Sequence, residues 1–534
     1  MELHELVADF LGAQGSPVFG LMGDANMLYL ATYQDRGHRY LPVSFEGSSV
    51  GAADAYFRLT GRPGIASVTH GPALTNTMTS LVEAVRARSS LVLLAGDVPL
   101  EATHFQRVDI AAIAAAAGAG FETIYRPGTA LRDMTRAMQR AVAERRPVVL
   151  DIPFSMLKVT VPEPASIPLP VKASPAGPTE DQLDVAVGAM VAARRPVVLA
   201  GRGAVDSGAK DALIALADRL GAPLATTLQA KGFFRGHPRN VGIHGTLSHS
   251  VGSGAIGEAD CIIAFGASLN VYTTDGGGLT KEKTIIQVDE DPGRFGRFTP
   301  VDAPVVADAK LAAEAMLALL VEADHSGGQQ WGEQVAQQVA AWKPEDEFTD
   351  HSTSETVDPR SAIVRLNRML PEDRVVVNDI GRFVVAAWPY LEVPEAQDFV
   401  NMGAFGSIGL GLGAVIGAIG AHPDRLVVGV CGDGGFMMNP TELASAVRQR
   451  AKLLLLIMND GAYGAEYYKL EDYGVDPAYS LNHYPDLAGV CEALGARVAR
   501  VRSLEDLDKV VGLLDEEGPV AVDIRLDPSI NTAE

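Results

Sequence analysis

Short apolar or β-branched runs recur along this 534-residue chain, and nearly every one is followed by a longer stretch with helical spacing. That alternation constrains the fold more than any other feature. A strand, a helix and a second strand in succession make a parallel pair, and repeated units make a parallel sheet with helices on both faces. The expected class is α/β, with doubly wound and mainly parallel sheets. Two stretches break the rhythm. In TVPEPASIPLPVKASPAGPTE (160–180) clustered prolines remove ladder donors and favour an extended linker. The stretch from about 323 to 358 is rich in Gln, Ser, Glu and Asp, with one helical patch at 333–342. These seams predict three domains, 1–162, 180–323 and 357–534, in line with a prior of roughly 150 residues per domain.

The bulk chemistry narrows the function classes. With 47% hydrophobic and 21% charged residues the chain can bury sizeable cores. A net charge of −22 repels phosphate backbones and anionic lipid, so nucleic acid and membrane surfaces are excluded as partners. Cys261, Cys431 and Cys491 are few, widely spaced and odd in number, which excludes a disulfide framework and suits a reducing compartment. With no basic leader and no long uncharged apolar run, the expectation is a cytoplasmic protein.

Gly432, Asp433, Gly434 and Gly435 close the run LVVGVCGDGG and precede the helical pattern of PTELASAVRQR. At the carboxyl end of a parallel strand, glycines let backbone N–H groups approach an anion closely. Asn439, Pro440 and Glu442 read as an N-cap, a first-turn proline and a capping-box acid, which would start the helix there. The run KLLLLIMND ends in Asn459 and Asp460, and tips of neighbouring parallel strands lie about 5 Å apart. Asp433 and Asp460 could therefore share Mg²⁺, which takes one or two carboxylates and completes its octahedron with phosphate, carbonyl and water oxygens. Alone, GDGG also fits an ordinary tight turn.

GDGG followed 27 residues on by the Asn-Asp pair resembles the GDG and NN signature of thiamine-diphosphate-dependent enzymes. The resemblance implies that Asp433, Asp460 and the carbonyl of Ala462 ligate the metal, and that Gly432, Gly434, Gly435 and Asn459 hold the diphosphate. Asp460 stands where the family has Asn, which keeps an oxygen ligand and adds a charge. AFGSIGLGLGAVIGA (404–418) is similar to the glycine-rich stretch around the aminopyrimidine, with Gly406 in contact and Ile408 as the bulky residue beneath the cofactor. Glu46 follows YLPVSF, opens EGSSVGAADAYFR, and resembles the glutamate that hydrogen-bonds the ring nitrogen N1′, a role favoured by an apolar pocket that raises its pKa. Segments 67–84 and 96–109 extend the resemblance through the first domain.

Within that family the chain resembles the acetolactate synthase, benzaldehyde lyase and 2-oxo acid decarboxylase group. The implied function is a lyase or transferase acting on a C–C bond beside a carbonyl. The leading expectation is non-oxidative decarboxylation of a 2-oxo acid with carboligation possible, and the alternative is an acetolactate-synthase-like carboligase. Asp24 and Glu466 resemble decarboxylase acids, Gln106 resembles the glutamine of acetolactate synthases, and His70 is a candidate pocket acid or base. No RFDD-type stretch occurs in the middle domain, so FAD is not expected. The resemblance also implies a homodimer or homotetramer. A non-catalytic homologue is disfavoured because Glu46 and both metal carboxylates are present. An NAD oxidoreductase is disfavoured for want of a placed dinucleotide motif.

Overall fold

The computed structural model describes residues 1–99 and 103–530 and contains three six-stranded parallel sheets. In the first, β1 (Val18–Gly20), β2 (Tyr40–Pro42), β3 (Gly64–Val68), β4 (Leu91–Asp97), β5 (Gly120–Thr123) and β6 (Val148–Pro153) are ordered β2-β1-β3-β4-β6-β5. The second holds β7 (Pro196–Ala200), β8 (Leu224–Thr226), β9 (Asn240–Ile243), β10 (Cys261–Phe265), β11 (Thr284–Asp289) and β12 (Ala303–Val306), ordered β12-β11-β10-β7-β8-β9. The third holds β13 (Arg374–Asn378), β14 (Phe399–Asn401), β15 (Leu426–Gly432), β16 (Leu453–Asn459), β17 (Arg497–Val501) and β18 (Val520–Arg525), ordered β14-β13-β15-β16-β18-β17. Sheets one and three thus share one topology. The middle sheet has the dinucleotide-fold order. The α/β class read from the sequence is the one observed.

Strands of parallel sheets covered on both faces read as continuous apolar runs. Accordingly every residue of β3 and of β16 is buried. Helix Gln329–Ala341 lies past the predicted end of the middle domain at 323, yet it buries Trp331 and Val335 against Val197, Leu199 and Ile262 of that domain. The first and third sheets are joined through helices Glu46–Thr60 and Gly411–Ala421. Their contact is so close that a Cβ on Gly417 would run into the Ala52 carbonyl, and Gly413 meets the Ser48 backbone. One core runs through both, from Phe19 and Val50 to Ile416 and Val427. All three cysteines are buried and free. Among the described residues no helix is long and apolar enough to cross a membrane.

Candidate cofactor site

In doubly wound sheets ligands bind at the carboxyl ends of the strands, where the strand order reverses. In the third sheet that point lies between β13 and β15, the strands that end beside Asp379 and Asp433. β15 and β16 pair with Gly432 opposite Met458, which brings Asp433 and Asp460 to adjacent tips. Asp433 is 2% exposed; its Oδ1 accepts the Gly434 N–H at 2.9 Å, while its Oδ2 is buried without a partner. Burial and then the charge of Asp460 push its carboxyl up to about 7. Burial raises Asp460 to about 6, against the Ala462 N–H and the guanidinium groups of Arg382 and Arg525. An orphaned buried oxygen beside a second carboxylate fits a site for a cation.

Among the described residues no three His, Cys, Asp or Glu side chains gather to hold a metal, so further ligands would come from backbone, water or phosphate. The hydrogen bonds around Ala462 leave its carbonyl out of the local bridge. Residue 462 bridges Leu481, but the flanking Gly461 and Tyr463 make the bonds, from Asn482 N–H to Gly461 O at 2.7 Å and from Tyr463 N–H to Ser480 O at 2.9 Å.

Several expectations need correction. Helical structure begins before the expected start at Asn439 and Pro440: Gly432 is an extended N-cap and Asp433 opens the helix Asp433–Met438. The next helix, Thr441–Arg448, has no side-chain cap. Glu442, read as a capping-box acid, instead accepts the N–H groups of Ser44 at 2.9 Å and Phe45 at 3.0 Å, and Asn439 donates to Ser48 Oγ at 2.7 Å. Both side chains therefore join the third domain to the first turn of the Glu46 helix. Gly434 and Gly435 make room for protein groups, since a Cβ would lie 2.8 Å from Tyr463 Cε1 and 2.6 Å from Asp379 Oδ2 respectively. Asn459, expected at the diphosphate, is turned along the sheet: it donates to Asp523 Oδ1 at 2.7 Å and accepts from Arg525 at 3.0 Å.

The first sheet presents its own row of residues at the carboxyl edge. Asp24 follows β1, Glu46 follows β2, His70 follows β3, and Gln106 lies after β4. Asp24 is exposed. Glu46 is half-buried, short of the enclosed pocket expected for it, and accepts from Asn76 at 3.0 Å. His70 is buried with its Nδ1 unpartnered, and its ring meets that of His104 edge-on at 5.8 Å. A Cβ on Gly71 would collide with the carbonyl of Gln106, so His70 and Gln106 share one corner. Of the segment 96–109, residues 100–102 lie outside the described residues. Gly406 is exposed with φ +83°, and Ile408 is half-buried in a turn of the same loop. Glu466, in helix Gly464–Asp472, is exposed and 3.7 Å from Lys469.

Sequence reading missed Asp379. It is fully buried, accepts the amides of Ile380, Gly409, Leu410 and Gly411, and is raised to about 6 by burial against those donors. An acid that ends an apolar run, VVVND, beside the reversal of strand order was the available signal.

A three-sheet α/β protein with acid-bearing strand tips at a switch point defines a cofactor-dependent enzyme architecture. Family models for the thiamine pyrophosphate enzyme match all three parts of the chain: the N-terminal binding domain over 1–113, the central domain over 183–316, and the C-terminal binding domain over 379–524. The chain belongs to the thiamine-diphosphate-dependent enzyme family. It is 27% identical to a probable acetolactate synthase large subunit of Methanocaldococcus jannaschii, over 99% of this chain and 92% of that one. It is 28% identical to the acetolactate synthase isozyme 3 large subunit of Escherichia coli, over 98% and 95%. A sulfoacetaldehyde acetyltransferase of Rhodobacter capsulatus is 26% identical, over 92% and 88%.

Proposed function

We propose that this enzyme decarboxylates a 2-oxo acid with thiamine diphosphate and Mg²⁺ and passes the remaining acyl unit to a second carbonyl compound. The observation that carries the cofactor reading is the buried, unpartnered Oδ2 of Asp433 beside Asp460. Asp433, Asp460 and the Ala462 carbonyl would hold the metal, with the backbone of Gly432, Gly434 and Gly435 around the diphosphate. The acyl-transfer reading is supported by relatives whose printed names denote acetolactate synthesis and acetyl transfer, and by Gln106 standing beside His70.

When bound, thiamine diphosphate supplies an acidic ring carbon that, once deprotonated, adds to a carbonyl and takes up the electron pair left by departing CO₂. Glu46 would hold a proton for the ring nitrogen that promotes this deprotonation. His70, with its unpartnered Nδ1, would give or take a proton at the substrate oxygen, and Gln106 would donate to the acceptor carbonyl. Asp24, exposed on the neighbouring tip, would serve proton exchange at the pocket mouth. In this chain the first turn of the Glu46 helix meets Asn439 and Glu442 rather than Asp433. That supports a site shared between two copies, Glu46 from one and Asp433 from the other.

The test is product analysis of purified protein with thiamine diphosphate, Mg²⁺ and a panel of 2-oxo acids, each with and without an aldehyde or second 2-oxo acid. CO₂ release with acyloin formation is expected. Free aldehyde as the sole product would overturn the transfer step, and absence of both turnover and retained thiamine diphosphate would overturn the cofactor reading.

A further inference from the structure

The loop 402–410, between β14 and helix Gly411–Ala421, carries Gly406 and Ile408 and has no regular structure of its own. It is nevertheless held at both ends by buried carboxylates. At the far end, Asp379 accepts Gly409 N–H at 2.8 Å and the next two amides. At the near end the acceptor comes from the first domain. Glu83, fully buried on helix Met78–Arg86, accepts Ala404 N–H at 3.0 Å and Phe405 N–H at 2.5 Å. Behind it, Arg58 donates to Glu83 Oε1 at 3.0 Å, to both oxygens of Asp54 at 2.8 and 2.7 Å, and to the Asn401 carbonyl at 2.7 Å.

We propose that Glu83, backed by Arg58 and Asp54, is a positioning residue of the cofactor site, fixing the 404–408 loop from the neighbouring domain before the ring end of the cofactor arrives. The proposal rests on the thiamine-diphosphate reading above. Packing alone does not ask for these charges, because a buried ion cluster can usually be replaced by apolar residues of similar volume without loss of stability. Glu83 also directs both oxygens at loop amides of another domain rather than at its own helix. Each loop residue fixed beforehand spares the binding step its ordering entropy. Glu83 grips the loop at Ala404 and Phe405, whereas the loop end next to Gly435 is held by Asp379, so the diphosphate end keeps an anchor of its own.

The experiment compares wild type and Glu83→Gln for binding of thiamine diphosphate and of inorganic pyrophosphate, each with Mg²⁺, by calorimetry on the full-length protein. Loss of a charge-assisted bond predicts about tenfold weaker thiamine diphosphate binding in the variant, with pyrophosphate affinity unchanged. Equal thiamine diphosphate affinity in both proteins, or equal loss for both ligands, would overturn the proposal. Wild type that fails to bind thiamine diphosphate would instead sink the reading beneath it. Should the variant not fold, hydrogen exchange on the wild type decides: the Ala404 and Phe405 amides should exchange far more slowly than those of Gly406 and Ser407, and equal rates would overturn the clamp.

Discussion

Stripping divalent metal from the protein should make its stability fall as pH rises, and Asp460→Asn should blunt that fall. The carboxyls of Asp433 and Asp460 are held at about 7 and about 6, by burial first and, for Asp433, by the charge of Asp460 second. A carboxyl whose folded pKa lies above its unfolded 3.8 binds more proton in the folded state across that window. Stability is therefore greatest on the acid side and declines until the folded pKa is passed. For Asp433 alone, integration from pH 5 to pH 7.5 gives a loss of about 2.5 kcal/mol. Asp460, raised to about 6 by its own burial, adds a loss of about 1 kcal/mol over the same interval. The asparagine variant removes both the titration of Asp460 and its repulsion on Asp433 while keeping the burial of Asp433, so it should lose at least about 1 kcal/mol less than wild type over the same interval. Urea unfolding of both proteins at pH 5 and pH 7.5 in chelator measures this, and the difference between them cancels titration elsewhere. Mg²⁺ with thiamine diphosphate should close the gap. An identical pH slope in the two proteins would refute the reasoning, as would an asparagine variant less stable than wild type at pH 7.5 without metal.

Glu46→Gln should keep thiamine diphosphate affinity within a few-fold while turnover falls about 100-fold or more; calorimetry beside steady-state rates checks it, and a wild-type rate would remove Glu46 from the chemistry. Glu442→Ala leaves the Ser44 and Phe45 amides without their acceptor, at a cost of about 1–3 kcal/mol in urea unfolding. A loss within experimental error would mean that this link between the domains is replaced by water. Gly417→Ala drives a Cβ into the Ala52 carbonyl at the contact of two buried helices and should destabilise by about 1–3 kcal/mol. A melting temperature equal to wild type would show that the helices can move apart freely.

What could be read from the sequence is what local chemistry fixes. The runs GIASV and LLLLIMN became strands because a sheet covered on both faces demands continuous apolar residues, and Asp433 and Asp460 met because both end neighbouring parallel strands. Glu442 shows where that reasoning stops. Its spacing from Asn439 satisfies a local capping pattern, but its partners are the Ser44 and Phe45 amides, nearly 400 residues earlier. The side chain of Asn459 likewise has partners that no local pattern announces, Asp523 and Arg525 across the sheet. Asp54, Arg58 and Glu83 give no sign of burial at all: charged residues in helical spacing read as a solvated face until a second domain covers them. The pairing of Asp433 with Asp460 at neighbouring strand tips was thus legible, whereas the residues that hold one domain's loop against another's helix were not. The latter are defined by pairs such as Glu83 with Phe405, whose separation of 322 residues leaves no periodic trace in a single chain.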